Sequence, residues 1–194
     1  MVSADQGRRA SGAGWRTRDI VVTAVIGVAF GVVFWVWNSV WLAAVGAVPA
    51  VPWVADLLYG VWFMPAIVAG LIIRKPGAAF FAETVAASLS MLMGTVWAAD
   101  VLLSGALQGL GAELVFFATG YRVYRLPVLG AAALAAAVPA FIHDWVIWYP
   151  AVDPLVQLVR FVMMAVSAVV IGAGGSLMLE RQLRGAGVLQ GFPD

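Results

Sequence analysis

The stretch Leu102–Phe117 is long and apolar enough to form the core of a membrane-spanning helix, yet it carries Gln108 and Glu113 in its middle. A charged group at bilayer depth costs roughly 3 kcal/mol, so such groups usually face a cavity, a partner or a ligand. Gly105, Gly109 and Glu113 are four residues apart and share one helical face, which leaves room for a neighbouring helix or a small molecule. We therefore expect Glu113 and Gln108 to form the floor of a small-molecule site inside a helical membrane bundle.

The composition of the whole chain is that of an integral membrane protein. Of its 194 residues, 63% are hydrophobic and 11% are charged, whereas soluble domains are about 45–50% apolar and about 25% charged. The length predicts one domain, and the net charge of +1 argues against a nucleic-acid partner. The chain has one histidine, no cysteine and no common hydrolase or nucleotide-binding motif. We therefore predict no enzymatic activity, no cofactor and no metal site.

The hydrophobic runs predict an all-α integral membrane protein, a single bundle of six transmembrane helices at about 20–41, 56–73, 78–96, 101–120, 127–149 and 155–180. Residues 1–18 are predicted to be a disordered cytoplasmic tail, 19–181 the six-helix membrane domain, and 182–194 a short cytoplasmic tail. The proline-containing segment 46–54 is predicted to fold over the outer mouth of the bundle.

The basic residues predict the orientation of these spans. With six spans, ten of the eleven lysines and arginines fall on one side, and only Arg160 lies on the other. The positive-inside rule then places both termini in the cytoplasm. Aromatic belts normally decorate both membrane faces, but most tryptophans here lie towards the outer ends of the spans, at Trp35, Trp37, Trp41, Trp53, Trp97, Trp145 and Trp148.

The outer half therefore combines acids, an amide and many indoles. This combination suits a flat, nitrogen-rich or cationic ligand, because carboxylates accept hydrogen bonds from ring amino groups and indole faces attract positive charge. The candidate ligand-binding residues are Glu113, Gln108, Glu83, Asn38, Tyr59, Trp97, Asp144 and Trp145.

Each acidic candidate also has a structural interpretation. Glu113 could form a buried hydrogen bond or ion pair within the bundle, and Glu83 lies two turns from the basic turn at 74–75 and could pair with it. Asp144 could pair with Arg160 across neighbouring spans. The sequence leaves these alternatives open.

Two motifs, Arg74–Glu83 and Leu102–Phe116, together resemble the YkoE-type substrate-binding S-component of energy-coupling-factor (ECF) transporters. The resemblance covers most of the chain. It implies a six-helix bundle in the bacterial cytoplasmic (inner) membrane that binds thiamine or its hydroxymethylpyrimidine precursor from outside. The implied partners are a transmembrane coupling subunit and cytoplasmic ATPase subunits. The signature acids of the family fall on Glu83 and Glu113, and its glutamine falls on Gln108.

S-components generally dock on the coupling subunit through small residues of the first helix. Here the stripe Thr23, Gly27 and Gly31 would serve, although it departs from the AxxxA pattern of other S-components. Packing inside the bundle is an equally good interpretation of this stripe.

Two other functions remain open at this point. One is a stand-alone proton-coupled carrier with Glu83 and Glu113 as its proton relay. The chain shows no duplication of three spans, a feature of many such carriers, which weighs against it. The other is a structural membrane partner subunit, in which the polar residues only join helices.

Overall fold

The structure, a computed structural model, describes residues 14–48 and 50–193, and this part of the chain is helical apart from its connecting turns. The predicted tail of residues 1–18 therefore falls largely outside the described residues. The helical elements in chain order are α1 (Thr17–Ala47), a 3₁₀ helix (Pro52–Phe63) that runs into α2 (Met64–Ile73), α3 (Ala78–Leu92), α4 (Asp100–Ala118), α5 (Leu126–Ile147), α6 (Pro154–Ser167), a π-helical segment (Ala168–Gly175) and α7 (Ser176–Gly185).

Within the described residues, five helical stretches are long and apolar enough to cross a membrane. They are Thr17–Ala47, Trp53–Ile73, Asp100–Ala118, Leu126–Ile147 and Pro154–Gly185. The protein is thus an all-helical, multi-pass membrane protein. The third predicted span, residues 78–96, is the one that falls short of this length.

The helix in that region, α3, has 15 residues and is therefore roughly 22 Å long. The hydrocarbon core of a bilayer is about 30 Å thick, so α3 alone is too short to cross it. The helix ends early because Gly94 adopts a left-handed φ of 84°. The amides of Gly94 and Thr95 then return to the carbonyls of Met91 and Ser90, which is a Schellman motif. Residues 93–99 continue as turns to the start of α4.

The segment 46–54 is partly helical, and its role as a cover over the mouth of the bundle stays a prediction. α1 continues to Ala47 and the 3₁₀ helix begins at Pro52. Only residues 48–51 connect the two helices, and Pro49 lies outside the described residues.

Close contacts between small residues hold α1, α3, α4 and α5 together. On α1, a Cβ added to Gly27 would meet Val85 and the carbonyl of Ala82, both on α3, and Gly31 lies equally close to Leu89 on the same helix. Thr23, one turn earlier on α1, is fully buried. The stripe Thr23, Gly27 and Gly31 therefore packs inside the bundle against α3, which differs from the expected docking surface for a coupling subunit.

The termini and the turn between α2 and α3 meet at one end of the bundle, here called the basic end. Lys75 in this turn lies 2.6 Å from the carboxylate of Asp19 at the start of α1. The guanidinium of Arg18 lies 4.0 Å from the ring centroid of Phe192, near the C-terminus. Both ends of the described chain are therefore on the same side of the bundle.

Candidate functional site

A cavity lies at the opposite end of the bundle from the basic end, between the end of α1, the 3₁₀ helix, the start of α4 and the end of α5. It is partly open to the surface, and the empty space within it and at its mouth, open solvent included, is about 480 Å³. Its wall consists of Trp41, Tyr59, Trp62, Trp97, Asp100, Val101, Ser104, Gln108, His143, Asp144, Trp148 and Tyr149.

Five aromatic rings form a continuous chain along the wall. The ring centroids of Tyr59 and Trp62 are 5.0 Å apart, and those of Trp62 and Trp41 are 6.4 Å apart. Trp97 lies 5.2 Å from Trp41 on one side and 5.2 Å from Trp148 on the other. All four contacts are edge-to-face, with interplanar angles of 65–79°. The wall therefore presents both ring faces and ring edges to a bound molecule.

A polar network crosses the cavity between α4 and α5. The imidazole of His143 lies between two carboxylates, with Nε2 at 3.0 Å from Asp100 and Nδ1 at 3.3 Å from Asp144. The Tyr59 hydroxyl donates to Asp144 at 2.9 Å, and the Trp148 indole N–H donates to Asp100 at 2.8 Å. Two acids thus face one imidazole, an arrangement that favours a ligand with positive charge.

Two polar atoms of the cavity wall are buried and have no hydrogen-bond partner among the described residues. They are Nε1 of Trp41, a donor, and Oε1 of Gln108, an acceptor. The amide nitrogen of Gln108 is already used, since it donates to Ser104 at 2.7 Å. An unpaired buried polar atom costs about 1–3 kcal/mol. An unpaired donor and an unpaired acceptor on two lining residues therefore suit a ligand that accepts from the first and donates to the second.

Beside the cavity, Arg160 is neutralised by Asp56. The two side chains form a buried ion pair, with Arg160 Nε at 2.9 Å from Asp56, and the guanidinium lies 3.8 Å from the centroid of the Tyr149 ring. The considered pair between Asp144 and Arg160 is absent from the described residues, because Asp56 on the 3₁₀ helix takes that position. Asp144 instead forms hydrogen bonds with Tyr59 and His143.

Glu113 does not line this cavity, in contrast to the sequence-based expectation. It lies near the basic end, where its carboxylate accepts hydrogen bonds from the backbone amides of Gly77, Ala79 and Phe80 at 2.6, 3.0 and 3.3 Å, and from the Tyr121 hydroxyl at 2.7 Å. Burial and this hydrogen bond raise the pKa of the Tyr121 phenol, which keeps it protonated as a donor. The carboxylate caps the start of α3, at the positive end of that helix.

Glu83 also lies away from the cavity. It is fully buried, and its Oε2 accepts from the backbone amide of Ala66 at 3.0 Å, while its Oε1 has no partner among the described residues. Ala66 lies near the start of α2, where the 3₁₀ helix passes into the α-helix. Among the described residues Glu83 forms no ion pair with the turn at 74–75, and Lys75 of this turn lies beside Asp19 instead.

The other candidates divide between the wall and its surroundings. Gln108, Tyr59, Trp97 and Asp144 line the cavity, whereas Asn38 lies behind the wall and Trp145 is 38% exposed and packs on Phe141.

Sequence reasoning missed several wall residues, namely Trp41, Trp62, Asp100, Ser104, His143 and Trp148. A four-residue helical spacing could have found two of them. Ser104 precedes Gln108 by one turn, and Trp148 follows Asp144 by one turn, so each shares a face with a predicted residue. Trp145, one position after Asp144, points about 100° away.

The comparisons with known proteins agree with a transport role. The family model described as "ABC-type cobalt transport system, permease component" matches residues 18–139. The "Putative HMP/thiamine permease protein YkoE" of Bacillus subtilis (strain 168) is 34% identical over 179 residues, covering 92% of this chain and 89% of the relative. A solved structure described as "Crystal structure of an S-component of ECF transporter" superposes with a TM-score of 0.87 at 34% identity, covering 92% of this chain and 90% of that one. These relatives are transport proteins, not enzymes.

Proposed function

Because the chain belongs to the YkoE-type S-components of ECF transporters, which it matches over 92% of its length, we propose that its tryptophan-walled cavity captures thiamine or its hydroxymethylpyrimidine precursor. As an S-component, the chain is a substrate-binding transporter subunit. In the proposed function it takes the vitamin from outside the cell and passes it to an ATP-driven importer.

The observation that carries this proposal is that two wall residues each have an unpaired polar atom, the donor Trp41 Nε1 and the acceptor Gln108 Oε1. An aminopyrimidine carries a ring nitrogen that accepts a hydrogen bond and an exocyclic amino group that donates one, which complements this pair. Thiamine adds a cationic thiazolium, for which the indole faces and the carboxylates of Asp100 and Asp144 are suitable partners. In this proposal Glu113 and Glu83 stabilise the packing of the helices and do not contact the ligand, since neither lines the cavity.

The proposed topology has six crossings, with both termini in the cytoplasm of the bacterium. α3 and the turns at 93–99 together make the third crossing. The support for this orientation is the position of Arg18, Arg74 and Lys75 at the basic end, because basic residues are retained on the cytoplasmic side. The cavity then faces the outside of the inner membrane.

The proposed partners are a transmembrane coupling subunit and cytoplasmic ATPase subunits. The sequence has no ATPase motif, so in an ATP-driven importer the hydrolysis of ATP takes place on another chain. The coupling subunit contacts a surface other than the stripe Thr23, Gly27 and Gly31, because α3 covers that stripe.

A thermal-shift assay with a ligand panel tests the proposal. The purified protein is heated with thiamine, hydroxymethylpyrimidine, riboflavin, biotin or a cobalt(II) salt, each in large excess. A ligand at 100 times its Kd stabilises the folded protein by about 2.7 kcal/mol, so one or both pyrimidines should raise the midpoint. No shift with either pyrimidine, or a shift with cobalt(II) instead, would contradict the proposed substrate.

Vesicles that contain this chain alone separate the proposal from a proton-coupled carrier. The S-component should bind thiamine without accumulating it when a pH gradient is applied. Accumulation driven by the gradient would contradict the need for a coupling subunit and ATPases.

A further inference from the structure

The turns at 93–99, between α3 and α4, bring Trp97 into the centre of the aromatic wall. Its ring is in edge contact with Trp41 on α1 and with Trp148 beyond α5, at 5.2 Å in each case. The backbone beside it is irregular, since Ala98 has a left-handed φ of 51°, which costs an alanine roughly 1–2 kcal/mol. Contacts outside the turns must therefore hold this segment in place.

Asn38 on α1 supplies such contacts with both ends of its amide group. Its Oδ1 accepts from the indole N–H of Trp97 at 3.1 Å, and its Nδ2 donates to the hydroxyl of Thr95 at 2.8 Å. Asn38 is only 4% exposed and does not line the cavity. Any effect of Asn38 on a ligand must therefore pass through the turns and Trp97.

The indole N–H groups of Trp41, Trp97 and Trp148 differ in their hydrogen bonding. The N–H of Trp148 donates to Asp100 and that of Trp97 donates to Asn38, while that of Trp41 is unpaired within the described residues. Two of these rings are thus fixed by hydrogen bonds to the protein, and the N–H of the third has no partner within the described residues. Without Asn38, the N–H of Trp97 would lose its acceptor and the ring its fixed orientation.

We propose that Asn38 is a positioning residue, which holds Trp97 in the cavity wall and so sets how long the site retains its ligand. This inference rests on the proposed function, because it concerns the same cavity. It assigns Asn38 a role behind the wall, distinct from the direct ligand contact expected from the sequence.

A double-mutant cycle tests the inference, with thiamine affinity and dissociation rate followed by tryptophan fluorescence in Asn38→Ala, Trp97→Phe and the double variant. Loss of one hydrogen bond corresponds to about a fivefold weaker affinity, and most of it should appear as faster dissociation. Phenylalanine lacks the N–H, so Asn38→Ala should cause a smaller loss in Trp97→Phe than in the wild type, where it breaks the bonds to both Trp97 and Thr95. Ser39→Ala, at an exposed neighbouring position on α1, is the control and should bind as the wild type does. Unchanged affinity in Asn38→Ala, or losses that multiply in the double variant, would contradict the inference.

A second readout does not need the ligand. The emission of the wild type minus that of Trp97→Phe reports on Trp97, and Asn38→Ala should make this component more accessible to acrylamide quenching. If the wild type binds neither thiamine nor hydroxymethylpyrimidine, the proposed function fails, and the quenching alone decides whether Asn38 positions Trp97. Unchanged quenching would overturn the inference.

Asn38→Leu covers the case in which the alanine variant does not fold, since leucine has a similar size and cannot accept a hydrogen bond. It should reproduce the faster dissociation and the stronger quenching. Asn38→Asp keeps an acceptor oxygen for the indole N–H and should retain the wild-type quenching. The inference fails if the leucine and aspartate variants behave alike.

Discussion

Replacing Glu113 by methionine, which has a similar length and no acceptor oxygen, should destabilise the bundle without weakening ligand binding by the folded molecules. The carboxylate accepts four hydrogen bonds, from the amides of Gly77, Ala79 and Phe80 and from the Tyr121 hydroxyl. Ala79 is fully buried, so an amide left unpaired there costs about 1–3 kcal/mol. The other three donors are less buried and can form hydrogen bonds to water instead. The stability lost with each of these bonds is therefore about 0.5 kcal/mol. The sum is about 3 kcal/mol, slightly more than the loss of a strong helix cap.

The assay combines thermal unfolding in detergent with a thiamine titration of the same preparation. A loss of about 3 kcal/mol should lower the midpoint by about 6–12 °C for a chain of this size. Thr84→Ala is the matched control on α3, because the exposed Thr84 hydroxyl donates to the Phe80 carbonyl of its own helix and to no other group in the described part of the chain. It should stay within about 0.5 kcal/mol of the wild type. An unchanged midpoint together with lost thiamine affinity would refute this reasoning and place Glu113 in the ligand site.

Two further substitutions test the packing and the buried charge. Gly111→Ala would place a Cβ against the carbonyl of Ala135, so it should separate α4 from α5 and reduce the yield of monodisperse protein. Gly130→Ala, whose new Cβ has no atom of a facing helix within 4 Å among the described residues, should purify normally. Equal yields of the two variants would contradict the close approach of α4 and α5 at Gly111. Arg160→Met leaves Asp56 buried without its partner and should cost about 3–5 kcal/mol in thermal unfolding. Adding Asp56→Asn should recover most of this loss, and a double variant as unstable as the single one would rule out the unpaired charge as its cause.

The sequence was sufficient to predict the membrane character and the family. Long apolar runs lead to helices whatever their neighbours are, and the resemblance carried by Arg74–Glu83 and Leu102–Phe116 is confirmed by the matching relatives. The basic turn at 74–75 and the terminal residues were expected on one side, and the contacts of Lys75 and Arg18 bring them together there.

The role of Glu113 could not be read from the sequence. A buried acid within an apolar helix indicates that some group satisfies it, but the identity of that group depends on which helix faces it. Here the start of α3 faces Glu113, and three backbone amides that no sequence pattern marks as donors converge on it. The four-residue spacing of Gly105, Gly109 and Glu113 correctly indicated a close neighbour on that face, namely α3 itself.

The rotation of α5 about its axis could not be predicted from the sequence either. His143, Asp144 and Trp145 are consecutive, and the sequence does not state which of them faces inward. The structure turns His143 and Asp144 to the cavity and Trp145 towards the exposed surface. Contacts with Tyr59 and Asp100, from distant parts of the chain, accompany that rotation.

The affinity of Gln108→Leu for thiamine, measured beside that of the wild type by fluorescence titration, tests the central claim most directly. The claim is that the ligand lies in the tryptophan-walled cavity and donates to the open Oε1 of Gln108. Removing this acceptor leaves a buried donor of the ligand unpaired, so the affinity should fall about tenfold or more. Wild-type affinity in Gln108→Leu would contradict the account, because it would place the vitamin elsewhere in the bundle.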